Sequence, residues 1–354
     1  MNHAFTILLL AILLLITGCQ AEPGEQQTAT TSKTVETYDS TASKFTDSQQ
    51  DEKLKAAKIR KIREFRFIYA GSISELIPNT EVSIWLPVAT DTHEQQILNR
   101  EINVPGQYVI GKEENFGNTI LHFSATANKE GEVPFEIVYH ISRKESLRDE
   151  EEELVEVEAE LFKTGTSFVP TDKKLSVDVL GGIKLADHTL TAGRQIYDAV
   201  NKRMRYDKPE GKAWGRGDSV WACGNGFGNC TDFHSLFISV CREQQIPARF
   251  EIGFPIPPQH GSGAVNGYHC WAKFAADNKW IPVDISEADK DPTLTDYYYG
   301  NLTANRITFT TGRDLTLNPA QQNGPVNFLV YPYVEVGGKV HTTFRKHFQY
   351  EDVH

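Results

Sequence analysis

GNCTDFHSLFISVCREQQIPARFEIGFP, residues 228–255, sets a cysteine directly before an apolar-periodic run in a chain with five cysteines in all. Phe233, Leu236, Phe237, Val240 and Cys241 recur at the i, i+3, i+4, i+7, i+8 spacing of one helix face, and Ile246-Pro247 closes the run. Cys230 therefore falls at the helix N-terminus. There the unpaired backbone N–H groups and the positive end of the helix dipole favour a thiolate, the nucleophilic form of cysteine. The same N–H groups can receive the negative oxygen that develops when a carbonyl carbon is attacked. Such a nucleophile needs a base, and the base needs a group to orient it.

Both are available downstream. YHCWAKFAADNKWIPVDISEA, residues 268–288, has the pattern of a β-hairpin turning near Asp277-Asn278. Side chains alternate along a strand, so His269 and Trp271 share one face while Cys270 and Ala272 take the other. A turn at Ala276-Asp277 puts His269 opposite Asp284; a turn at Asp277-Asn278 puts Trp271 there. In either register His269 and Asp284 are direct or diagonal neighbours on one face. Cys270 is expected to point away from it.

The order Cys230, His269, Asp284 within GNCTDFHSLF, IPARFEIGFP, GYHCWAKF and KWIPVDIS resembles the transglutaminase-like superfamily. The likeness is close over 185–288 and extends over the later strands RITFTTGRDL and NFLVYPYVEVGGK. It implies an α+β fold with a papain-like core and a Cys-His-Asp triad: Cys230 as nucleophile, His269 as base and then acid, Asp284 orienting the imidazole. The family contains cross-linking acyltransferases and peptidases. The calcium dependence of animal transglutaminases is not carried over, because the acidic stretch DISEADKD lacks the spacing of an EF-hand loop.

Upstream, EFRFIYAG, EVSIWLPVA, NTILHFSA and VPFEIVYHISR alternate apolar and polar residues between turn clusters. They predict a small antiparallel β-sandwich over 61–146, similar to one that accompanies the core in bacterial members of the family. Residues 147–184 are expected to link it to a catalytic domain at 185–354. The acidic run 149–160 is expected to be a solvated helix, since Leu154, Val157 and Leu161 have helical spacing. Ile196, Val200 and Met204 predict a packed helix over 191–205, and the glycine-rich stretch 210–229 predicts a loop that delivers the chain to Cys230. Trp214, within it, carries an indole N–H able to donate to an oxyanion.

The N-terminus addresses the chain. Residues 5–16, FTILLLAILLLI, have the length of a signal h-region and fall short of a membrane span. The following Ile16-Thr17-Gly18-Cys19 resembles the lipobox of bacterial lipoproteins, which implies cleavage of a 1–19 signal peptide, lipidation of Cys19 and a periplasmic protein held to a membrane. Gln20, in place of Asp, favours the outer membrane. Residues 20–60 are too polar to offset the entropy of ordering and predict a disordered tether.

The 47 acidic against 36 basic side chains, net −11, repel phosphate backbones and exclude nucleic acid as the main partner. Protein or peptide is the expected substrate, with hydrolysis placed ahead of cross-linking and a non-catalytic binding lipoprotein as the competing class. No cofactor or metal is expected: Cys223, Cys230 and Cys241 have no zinc-knuckle spacing. A Cys230–Cys241 disulfide is excluded by about 16 Å of helix rise against a bridging reach of about 7 Å. Cys223 alone is placed to cap Cys230, and bridges from Cys223 to Cys241 or Cys270 remain open.

Overall fold

A computed structural model of the chain describes residues 61–148 and 152–353. The signal peptide, Cys19 and the tether lie outside the described residues. The strands are β1 (Ile62–Ile73), β2 (Glu81–Val88), β3 (Gln95–Asn103), β4 (Tyr108–Lys112), β5 (Thr119–Thr126) and β6 (Val133–Lys144). Five helices follow: α1 (Glu156–Leu161), α2 (Leu175–Leu180), α3 (Thr189–Arg203), α4 (Ser219–Asn225) and α5 (Cys230–Glu243). Then come β7 (Ala248–Pro255), β8 (Ser262–Ala264), β9 (His269–Ala276), β10 (Lys279–Val283) and α6 (Ile285–Lys290). The chain ends with β11 (Arg306–Thr311), β12 (Tyr333–Val336), β13 (Lys339–His341) and β14 (Phe344–Asp352).

The α+β class holds, with antiparallel sheets throughout. One sheet runs β3-β6-β1-β14-β8 and a second β13-β12-β2-β5-β4, while the site is built on a third, β10-β9-β7-β11. The strand pairing crosses the expected boundary at 185. β14 pairs with β1 from Phe65↔Asp352 to Ile73↔Phe344, and β12 pairs with β2. The C-terminal strands thus complete the N-terminal sheets rather than extending the catalytic one.

The alternation along β1 buries Phe65, Phe67 and Tyr69. Phe67 and Tyr69 then pack on the catalytic sheet, with Phe67 5.2 Å from Phe254 and Tyr69 5.2 Å from Phe309, ring centre to ring centre. One continuous core therefore underlies both regions. β9 is buried at every position because the catalytic sheet is covered on both faces. On one face lies α5, where Phe274 meets Phe237.

Helix α5 is buried from Cys230 to Arg242, as a helix apolar on one side and closed over on the other must be. Its polar members are paired internally: Arg242 donates to the carbonyl oxygens of Ala248 and Thr164. Gln245 at φ 61° and Pro247 end the helix.

Two local expectations are corrected. The glycine-rich stretch is not all loop: Ser219–Asn225 form a helix capped by Asp218, whose carboxylate accepts from Trp221 N at 3.0 Å. The acidic run is not one solvated helix. Among the described residues of the run the helix is confined to Glu156–Leu161, Glu152 and Leu154 hydrogen-bond to the β9–β10 hairpin, and the Glu152 carboxylate is drawn into an ion cluster. A lysine and an arginine distant in sequence offer it more than solvent does.

Candidate active site

The start of α5 is fixed by a double cap. Asn229 Oδ1 accepts from Thr231 N at 2.9 Å, and the buried carboxylate of Asp232 reaches back to Asn229 N at 3.0 Å. The same carboxylate collects Gly215 N at 2.9 Å and Gly217 N at 2.8 Å, tying the upstream loop to the helix. Gly228 is required at this approach, since a Cβ there would lie 2.5 Å from the Asp232 side chain. Cys230 is thereby set on the first turn, its side chain nearly covered at 2% exposed.

The hairpin turns at Asp277-Asn278, both left-handed at φ 51° and 59°, as a two-residue hairpin loop requires. Val283 then faces Ala272, so Asp284 follows opposite Trp271, the second of the two registers above. His269 is its diagonal neighbour, and Nε2 of His269 is 2.7 Å from Asp284 Oδ2. That leaves Nδ1 for Cys230, whose sulfur shares a hydrogen bond with the ring. The structure brings Cys230, His269 and Asp284 together in that order.

Burial disfavours charge on all three, and their mutual attraction overrides it. Burial would raise the Cys230 thiol, but hydrogen bonds from Cys270 and His269 and the imidazolium charge pull it down to about 5. Burial would lower His269, but the Asp284 carboxylate and the Cys230 thiolate push it up to about 10. Asp284 is held well below the usual carboxylate range: its burial is outweighed by His269 and then by Arg306. Between those limits the pair is thiolate and imidazolium. Iodoacetamide at about pH 6 is expected to alkylate Cys230 alone, because burial pushes Cys223, Cys241 and Cys270 upward. Peptide mass mapping checks this; equal labelling of Cys223 would remove the ion pair.

Three residues outside the predicted triad complete the surroundings. Arg306 of β11 donates from Nη1 to Asp284 Oδ2 at 3.2 Å and stacks 4.7 Å over Trp271. His234, one helical turn beyond Cys230, is fully buried with Nε2 3.7 Å from Asp284 Oδ1. Cys270, expected only to point away from the His269 face, has its thiol beside Cys230 and 3.6 Å from His234 Nδ1. Face alternation along β9 does hold. His269 is the first residue of the strand and interacts with Cys230 from there, while the Cys270 thiol meets His234 of the helix.

All four described cysteines are free, so none of the open disulfide pairings forms. Trp214 Nε1 is buried and unpaired, beside Tyr206 at 5.8 Å between ring centres. A cleft of about 400 Å³ opens against His269, between Glu287, Tyr298, Asn305 and Arg306. Elsewhere among the described residues, His93, Glu94 and Glu152 gather ligand atoms within 4.8 Å. The Lys273 ammonium sits among those carboxylates, 2.6 Å from Glu94, and serves as their cation.

Residues 178–285 match the transglutaminase-like superfamily core, and with the fold and the Cys-His-Asp geometry they constitute a domain of that superfamily. A Haemophilus influenzae protein described only as uncharacterized is 26% identical over 330 residues, covering 77% of this chain and 86% of that protein. A candidate cysteine protease from Cytophaga hutchinsonii has a similar fold, with TM-score 0.52 at 15% identity over 83% of this chain and 98% of its own. The periplasmic domain of TgpA from Pseudomonas aeruginosa aligns with TM-score 0.36 at 13% identity over 66% of this chain and 90% of its own.

Proposed function

We propose that the protein is an extracytoplasmic, lipid-anchored cysteine enzyme that opens amide bonds of a protein or peptide through a thioester on Cys230. The observation that carries this reading is the buried Cys230–His269–Asp284 line, with its 2.7 Å imidazole–carboxylate bond and its thiolate. The thiolate attacks the carbonyl carbon and the oxygen takes the displaced electron pair, facing the backbone N–H of Cys230, since Asn229 takes those of Thr231, Asp232 and Phe233. His269 then gives its proton to the departing amine as the C–N bond breaks, leaving a thioester and a neutral imidazole. Water loses a proton to that imidazole and adds to the thioester, and the sulfur leaves as thiolate. Asp284 remains ionised and orients the ring throughout.

An amine in place of water turns the same thioester into a cross-link. Hydrolysis is placed first because water is the default acceptor for a thioester. The N-terminal apolar segment and the lipobox-like Cys19 support the extracytoplasmic address, and among the described residues no helix is long and apolar enough to cross a membrane. The test is mass spectrometry of a periplasmic extract incubated with the wild-type chain or with Cys230→Ala. New peptide termini or deamidated glutamines are expected only with the wild type, together with an acyl adduct on Cys230. Equal products from the folded Cys230→Ala chain would overturn the proposal.

A further inference from the structure

β8 is an edge strand that leads to the base. Among the described residues it has β14 on one side and no strand on the other, and the chain then passes through 265–268 to His269. Pairing with β14 joins Val265 N to the carbonyl oxygen of Phe348 at 2.8 Å and Asp352 N to that of Gly261 at 2.7 Å. The odd-numbered residues therefore turn their backbone groups inward, and Ser262 and Ala264 turn theirs outward. Both are exposed.

That free edge borders the cleft beside His269: Ala264 and Asn266 line it together with the base, and Cys230 does not. A second cleft, of about 690 Å³, shares Pro258, Tyr298, Thr303 and Asn305 with the first. It reaches His260, just ahead of β8, and the exposed side chains of Ile62 and Leu294. The two clefts make one groove alongside β8, with the base at one end. Acyl-transfer chemistry decides which half of a substrate enters it. The acyl half is bonded to Cys230, whereas the amine half is the one that His269 protonates and releases. The chain of the amine half starts with its nitrogen at His269 and runs away from the base in the N-to-C direction. β8 runs toward the base, so the two are antiparallel, the more stable of the two pairings.

We propose that the groove takes the amine half of a polypeptide substrate as an extended strand added antiparallel to the free edge of β8. The proposal rests on the acyl-transfer reading and names its substrate class: an amide whose nitrogen carries several further residues, so that the leaving group is a peptide and not ammonia. Main-chain hydrogen bonds to the outward groups of Ala264 and Ser262 supply affinity, and the apolar far end of the groove meets side chains.

An incoming amine uses the path of the leaving one, so the test is how a thioester on the full chain partitions. p-Nitrophenyl acetate acetylates the Cys230 sulfur and releases p-nitrophenolate. An added amine then competes with water: its nitrogen bonds the acyl carbon, its proton passes to the neutral His269, and the sulfur leaves as thiolate. The amines are alaninamide and penta-alanine amide at equal concentration, with the Cys230→Ala rate subtracted. The ratio of acetylated amine to acetate is expected to be about tenfold or more higher for the longer amine, the value of several hydrogen bonds. N-methylation along the pentapeptide should lower the ratio at alternate positions only, because alternate N–H groups face β8. Ala264→Pro deletes an outward N–H that β14 does not use, and should lower the ratio for the longer amine about two- to tenfold. Ala264→Ser, which keeps that N–H, should recover it.

Equal ratios for the two amines overturn the proposal, as does a methylation profile without alternation, and both hold whether or not the proline variant folds. A proline variant that is folded by circular dichroism and partitions as the wild type also overturns it. Ester turnover that is the same in wild type and Cys230→Ala would instead sink the acyl-transfer reading, so the two failures are distinct.

Discussion

Asp284→Asn is expected to lower turnover by about 10⁴-fold, the loss seen when a triad loses the carboxylate that fixes its imidazole. Asparagine is the informative substitution because it separates two roles of one side chain. Asp284 Oδ1 accepts from Ser286 Oγ at 3.0 Å and Glu287 N at 3.2 Å, capping α6, and an amide oxygen can do the same. Oδ2 faces His269 and Arg306, and there an amide supplies no charge. His269 then falls toward an ordinary imidazole, and the Cys230 thiol rises because its imidazolium partner is lost. The pH window for the ion pair narrows from both sides. Arg306, 3% exposed, is left buried without its counter-ion, at a cost of about 3–5 kcal/mol.

The stability change should also depend on pH. The depressed carboxyl of Asp284 contributes stability that is present above its unfolded value, 3.8, and lost as pH falls through the lower folded value. Steady-state turnover, Cys230 alkylation against pH and chemical unfolding of the same variant check all three. Turnover within about tenfold of wild type would remove Asp284 from the orienting role.

The nucleophile, the base and the carboxylate could be located from residue order because each is tied to a local pattern: a helix start, a strand alternation, a two-residue turn. The turn residues Asp277 and Asn278 both tolerate left-handed backbone, so the register that links His269 to Asp284 followed from chemistry within a few residues. Arg306 has no such signal. Its contact with Asp284 depends on where β11 joins the catalytic sheet, and only the fold decides that. The same limit explains β14. FRKHFQYED has the composition of a strand, but nothing local says that its partner is β1, at the opposite end of the described chain. Cys270 was missed for a different reason. Alternation assigned its face correctly, but only the packing of α5 on β9 brings His234 against it there. Glu152 looked like one more charge in a solvated run, and its partners come from β7 and β9.

Lys273→Met should cost about 3–5 kcal/mol of stability, because it takes the nearest cation from buried carboxylates. The Lys273 ammonium is 1% exposed, 2.6 Å from Glu94 and 3.7 Å from Glu251, and it also bonds Glu152. Arg249 neutralises part of the cluster through Glu152 and Glu251, which leaves Glu94 the most dependent on the lysine. Burial raises Glu94, but the charge of Lys273 overrides it and holds Glu94 well below its ordinary value. Its contribution is therefore present above the unfolded value, 4.5, and lost as pH falls through the folded one. Without Lys273 the largest opposition to burial is lost and the His93 hydrogen bond and the Arg143 charge remain, so Glu94 rises from its depressed value and the stability it contributes at neutral pH falls. The gap from wild type should be widest near neutrality and shrink as pH falls through the folded value of Glu94. Adding Glu94→Leu should recover about half of the loss, since replacing both partners of a buried pair with apolar groups costs far less than stranding one. Glu94 immediately precedes β3 and Lys273 lies on β9 with His269, so the cluster also joins the N-terminal sheets to the strand that carries the base. Urea unfolding of the single and double variants at neutral and at lower pH provides the check, and a single-variant loss below about 1 kcal/mol at neutrality would mean that the cluster is no stronger than an exposed ion pair.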